Sequence, residues 1–322
     1  MKHLAISNMQ KTEQSSRIAL NTREGAVIGM MYMKANSRPS EKLIEKALVM
    51  CAALFIIVIA LITLFIFSKG MPVLLKVGIG DFLFNGDWRP TKGIFGIASM
   101  VVGSLVVTLS SMLWAVPLAI ATAVFMAEIA PRRVAKILGS LVELLAGIPS
   151  VVYGFVGLLV VVPFIRDYLG GNGMSVLAGA IILGVMILPT IVNISRDSIE
   201  AVPKEYKEGS LALGASHYQT IARVIIPAAR SGIITAIVLG MGRAIGETMA
   251  VVMVTGNSTI VPTSILGPVR TMTSNIVLEM GYASGDHQAA LFATGMILFI
   301  LIVAMNLMVT WGAKAGGAYG KK

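Results

Sequence analysis

The chain is short of nearly everything that catalysis and cross-linking draw on. It has one cysteine, Cys51, in 322 residues. A single thiol excludes a disulfide framework and a cysteine metal site within one chain. Three histidines, His3, His217 and His287, stand far apart and give no metal-ligand spacing. Charged residues make up only 13% of the chain, against about 25% in soluble domains. The phosphate-loop pattern GxxxxGK[ST] is missing, so ATP hydrolysis, if it drives this protein, belongs to a partner chain. No cleavable signal pattern stands at the N-terminus, because the first apolar run starts too late.

What fills the chain instead is apolar. Hydrophobic residues reach 56% and mean hydropathy is +0.83. Runs near 20 residues are long enough to cross a hydrocarbon core of about 30 Å as helices. Six such runs are read, at 47–67, 96–127, 139–162, 175–194, 231–255 and 289–311. The fold class is an all-α integral membrane protein. The second run is too long for one straight crossing, and Pro117 is expected to kink or break it.

Lys and Arg sort the loops. Of 26, nineteen lie in the tail to Lys46, after the second and fourth runs, and after the sixth. Six lie on the alternate side and one, Arg243, lies within a run. The positive-inside rule puts both termini in the cytoplasm. It also accounts for the net charge of +10 without nucleic acid. The expected organisation is a partly disordered cytoplasmic tail at 1–46, a first helix at 47–67 and an external loop at 68–95. A core at 96–312, with a cytoplasmic loop at 195–230, and a cytoplasmic tail at 313–322 complete it.

Arg243 and Glu247 stand in GMGRAIGETMAVVM, near the middle of the fifth run. A charge at the bilayer centre costs roughly 2.5–3.5 kcal/mol on insertion scales. On a continuous helix, i and i+4 share a face and can pair. Such a pair is a functional-site hypothesis by default, with helix packing as the plain alternative. Glu143, ahead of Gly147, Pro149 and Ser150, is a possible second buried acid. Its plainer role is to bind backbone or a neighbouring helix.

The loop at 195–230 reads KEYKEGSLALGASHYQTIARVIIPAAR at its centre. Gly209, Ser210 and Ala212 follow Glu208 on a short helix. Gly214 is suited to end that helix with positive φ. A second helix is expected over about 216–226, with Pro227 marking its end or the approach to the fifth run. A short helix with a small-residue surface suits docking into another protein. The competing reading is an ordinary interfacial helix pair.

That loop resembles the EAA signature of ABC-importer permeases. Glu208, Gly209 and Ser210 stand for the opening Glu-Ala-Ala, Gly214 for the glycine, and Val224, Ile226 and Pro227 for the ending. The departures are small-for-small or aliphatic. LWAVPLAIATAVFMAEIAP (113–131), LVELLAGIPSVVYGFVGL (141–158) and GRAIGETMAVVMVTGN (242–257) resemble the PstC-type permease of phosphate-specific transporters. The match runs over about 96–311. It implies a type I ABC-importer permease core in a bacterial or archaeal cytoplasmic membrane. It implies as partners a PstA-type permease, two copies of a PstB-type ATPase that carry the ATP, and an external phosphate-binding protein. No cofactor, metal or catalytic residue is expected on this chain.

Arg243 then offers a planar, permanent charge to phosphate oxygens. Glu247 could accept a hydrogen bond from a phosphate hydroxyl and repel sulfate, or only neutralise Arg243. Thr248 could add a polar contact. Rival readings are a permease for another oxyanion, such as sulfate or molybdate, and a secondary anion transporter or channel. A membrane scaffold that docks a cytoplasmic partner is a third. The secondary transporter leaves the 195–230 loop unexplained, and the scaffold leaves Arg243 and Glu247 unexplained.

Overall fold

Backbone that cannot hydrogen-bond to lipid must satisfy itself, and long apolar runs therefore become helices. The structure, a computed structural model, describes residues 39–317, with side chains over 44–309 and at Trp311. Of the expected tail at 1–46, residues 1–38 lie outside the described residues, as do the last residues of the chain, and 39–46 already belong to the first helix. Two compact units divide at Leu64 and Phe65, and helix α1 (Pro39–Val77) begins in one and ends in the other. In the first unit, α1 exposes Leu48, Phe55 and Leu61, side chains as apolar as the lipid tails they would meet.

Within the second unit, Gly78, at φ 92°, ends α1. Only glycine adopts that conformation without strain. Helix α2 (Ile79–Phe84) follows, then a small antiparallel hairpin, β1 (Trp88–Arg89) and β2 (Ile94–Phe95), with Trp88 opposite Phe95. The segment read as a loop at 68–95 is thus largely ordered. Phe82, Trp88 and Phe95 are buried with Met100, Met272 and Leu291.

Helix α3 runs over Ala98–Ile129. Of the two expected outcomes, a kink or a break, the break does not occur: Pro117 lies inside a continuous helix. The helix survives because α3 is clamped along α6 (Val176–Glu200). Val107, Ala115 and Ala119 pack there with Leu183, Ile187 and Ile191. The last turn, Phe125–Ile129, relaxes into a π-turn. Gly184 makes the close approach possible, since a Cβ there would overlap the Trp114 ring.

The third apolar run is displaced from its expected place. Residues 132–147 form a separate helix, α4 (Arg132–Gly147), and the crossing segment is α5 (Ser150–Tyr168). Ile148 takes extended backbone, ψ 128°, as a residue before proline prefers. After α6 come α7 (Lys204–Ala212) and α8 (His217–Ala228), the latter bent by 67° against α9 (Arg230–Gly246). The fifth run is not one helix either. It breaks at Glu247 and Thr248 and resumes as α10 (Met249–Val254). Helices α11 (Met272–Glu279) and α12 (Gly285–Gly317) close the fold. Among the described residues, five helices are long and apolar enough to cross a membrane, and the bent pair α8–α9 makes up to six.

Candidate functional site

The break after Gly246 changes the geometry expected of Arg243 and Glu247. Glu247 is extended, φ −67° and ψ 134°, so it leaves the helical face that carries Arg243. No ion pair joins the two among the described residues. The Glu247 carboxylate instead accepts the Ala250 N–H at 3.3 Å, at the start of α10. Hydroxyls explain why the helix stops there. Thr248 Oγ1 donates to the Gly246 carbonyl at 3.2 Å, and Thr273 Oγ1 donates to the Glu247 carbonyl at 3.0 Å. Side chains thus take over carbonyls that a continuing helix would use.

Arg243 sits in the last turn of α9, where a cation suits the negative end of the helix dipole. Its side chain is exposed and has no hydrogen-bond or ion-pair partner among the described residues. It lies within electrostatic reach of Tyr153 on α5. Tyr153 is 8% exposed and its hydroxyl donates to the Leu145 carbonyl at 2.8 Å, tying α4 to α5 across the Ile148–Pro149 break.

Helices α5 and α10 run parallel. A Cβ on Gly154 would come 2.9 Å from Ala250 Cα, and one on Gly157 would come 2.8 Å from Val254 Cγ1. The contact advances in the same direction on both chains, so both N-terminal ends fall on the same side. Two helix breaks, at Ile148–Pro149 and Glu247–Thr248, therefore fall on the same side, and Arg243 stands in the helical turn just before the second. Half-helix N-termini and cations both favour anions.

The 195–230 loop matches its local expectation closely. Helix α7 ends at Ala212 with Leu213 as its C-cap, and Gly214 takes φ 85°. Ala215 N–H returns to the Ser210 carbonyl at 3.2 Å. Ser216 caps α8 in a reciprocal capping box with Gln219. The hydroxyls of Ser210 and Thr220 meet at 3.0 Å and hold the two helices together. Lys207 anchors α7 to Glu128 of α3 at 2.6 Å. Pro227 lies in the last turn of α8, before the bend into α9. Glu208 and Gly209 are exposed and Ser210 is half-buried. The sequence reading missed the apolar tip, where Leu213 is 91% and Tyr218 is 79% exposed.

Glu143 is not a buried acid. It lies exposed on α4, because that helix is separate from the crossing segment. The buried acid among the described residues is Glu279, at the opposite end from the α7–α8 loop. It accepts from Trp88 Nε1 at 2.7 Å and Arg270 Nη1 at 2.7 Å, and meets His287 Nε2 at 2.8 Å. Arg270 also donates to the Asn257 carbonyl and to Asn275 Oδ1. No spacing could reveal this cluster, since Trp88 and Glu279 are 191 residues apart.

Comparison with known proteins agrees with this architecture. Residues 115–315 match the family described as binding-protein-dependent transport system inner membrane component. A probable ABC transporter permease protein of Bacillus subtilis, YqgH, is 41% identical over 91% of this chain and 97% of its own. The phosphate transport system permease protein PstC of Mesorhizobium japonicum is 34% identical over 82% of this chain and 89% of its own. A bacterial ABC transporter involved in alginate import has a chain that superposes with a TM-score of 0.58. It is 13% identical and covers 86% of this chain and 99% of its own.

Proposed function

This chain belongs to the inner membrane component family of binding-protein-dependent transport systems, and from that premise we propose that it is half of the translocation pathway of an ATP-driven phosphate importer. Membership makes it a permease subunit of an ABC importer, working with an ATPase and a binding protein. The finer reading gives it a PstA-type permease partner, two PstB-type ATPase copies and an external phosphate-binding protein, with both termini in the cytoplasm. PstC relatives at 33–34% identity support phosphate.

The observation that carries the reading is Arg243, an exposed guanidinium without a partner among the described residues, one turn before the break at Glu247 and within electrostatic reach of Tyr153 on α5. Its fork can take two oxygens of a phosphate. Glu247 uses one carboxylate oxygen on Ala250 and keeps the other for a phosphate hydroxyl. Sulfate has no such proton near neutral pH and meets only repulsion there. Thr248 adds a hydroxyl at the same level. ATP is hydrolysed on the partner, and α7, held by Lys207–Glu128 and ended by Gly214, transmits the motion.

A permease for another oxyanion is the second reading, because the 41% identical relative carries no substrate in its name. Uptake by the assembled complex in proteoliposomes separates the two. ATP-dependent phosphate uptake that sulfate does not inhibit supports phosphate. Sulfate or molybdate uptake at equal or greater rate would overturn it, and uptake without ATP would remove the ABC mechanism.

A further inference from the structure

Helix α4 has three faces, and only one of them packs on this chain. Leu138, Gly139 and Val142 face the core, where Gly139 lies against the Arg196 side chain of α6. Val134, Ile137, Leu141 and Leu144, spaced three and four apart, are exposed and apolar. Between these faces stand Arg132, Lys136, Ser140 and Glu143. They line a cleft of about 550 Å³ with Arg196 and Glu200. A second cleft of about 610 Å³ shares Ser140 and Glu143 and continues past Leu144, Ile148 and Pro149. A polar cleft therefore opens into an apolar one.

We propose that the two clefts bind one anionic phospholipid, its phosphodiester among Arg132, Lys136 and Arg196 and an acyl chain along Leu144–Pro149. Charge selects the occupant. Arg196 and Glu200 neutralise each other at 2.7 Å. Arg132 and Lys136 against Glu143 leave one positive charge, which matches one phosphodiester. Glu143 accepts a hydrogen bond from a headgroup hydroxyl, which phosphatidylglycerol has and phosphatidylcholine lacks. Amphipathic helices lie with the apolar face in the acyl boundary, and basic pockets between helices on the cytoplasmic side hold anionic headgroups. The site requires the positive-inside orientation but not phosphate as the transported substrate. Arg132 also lines the neighbouring cleft of about 690 Å³ with Lys207 and Glu208 of α7, so the lipid would sit beside α7.

The test uses the complex purified from its native host in phosphatidylcholine nanodiscs, with photoactivatable phosphatidylglycerol as the probe. Label should map to residues 140–149. Removing a cation near the membrane surface weakens anionic-lipid binding about fivefold, so Arg132→Ala with Lys136→Ala should lose about 25-fold. Arg132→Lys with Lys136→Arg should keep the label, as should Arg133→Ala, whose side chain lines neither cleft. Unchanged labelling of the double alanine variant overturns the proposal. So does equal labelling by photoactivatable phosphatidylcholine. Label absent from 140–149, as when a second permease chain covers the face, overturns it too.

Discussion

Glu279→Ala should be the most damaging single change to a carboxylate in this chain. The Glu279 side chain is 9% exposed and its partner Arg270 is 17% exposed. Three groups converge on it at 2.7–2.8 Å, from β1, from the segment before α11 and from α12. Truncation leaves the half-buried Arg270 with only the Asn257 carbonyl and Asn275 Oδ1. Breaking one side of a buried pair costs about 3–5 kcal/mol. An unsatisfied Trp88 N–H adds about 1–3 kcal/mol. Water entering the vacated space returns part of this, so a net loss of about 4 kcal/mol is expected. Glu247→Ala is the control. It loses one half-buried hydrogen bond of 3.3 Å, worth about 0.5–1.5 kcal/mol. Reversible unfolding in mixed micelles, followed by tryptophan fluorescence, measures both, and Trp88 reports on the cluster itself. If Glu279→Ala and Glu247→Ala unfold within about 0.5 kcal/mol of each other, the hub is not a stabilising centre and the reasoning fails.

Other outcomes are expected from the same geometry. Gly154→Val places methyls against Ala250 and Met253. It should cost about 1–3 kcal/mol and lower uptake by parting α5 from α10, and normal uptake would show that this contact is not needed. Gly214→Pro cannot hold φ 85°, because proline stays near −65°. It should leave ATP hydrolysis by the partner in place while abolishing ATP-driven uptake, and full uptake would remove the loop from the coupling role. Glu208→Lys reverses an exposed charge on the same helix and should also uncouple, with hydrolysis measured beside uptake. Leu213→Asp should weaken co-purification of the ATPase without changing melting temperature, since the side chain is 91% exposed.

How much the sequence told depends on how far apart the deciding residues are. Gly214 and its helix end were legible, because a turn is decided within four or five residues. The first, second, fourth and sixth crossing helices were legible from length and hydropathy. The α4–α5 break was written in Ile148–Pro149 but hidden by the apolar residues of α4, whose exposed face reads like a membrane span. The break at Glu247 had no proline. Of the two hydroxyls that take over its carbonyls, Thr248 is local but Thr273 comes from 26 residues away. An i, i+4 spacing therefore promised a pair that the backbone does not keep. Glu279 carried no local signal at all, and His287 was dismissed for want of a nearby ligand.

The central claim is that substrate passes Arg243. The direct measurement is ATP-driven phosphate uptake by the reconstituted complex carrying Arg243→Ala, Arg243→Lys or Glu247→Gln, with complex recovery quantified for each. The account predicts full assembly and near-complete loss of uptake for Arg243→Ala. It predicts impaired uptake for Arg243→Lys, which keeps the charge without the bidentate fork. It predicts a milder loss for Glu247→Gln with new inhibition by sulfate, since an amide donates where the carboxylate repels. An Arg243→Ala complex that assembles fully and carries phosphate at the wild-type rate would contradict it.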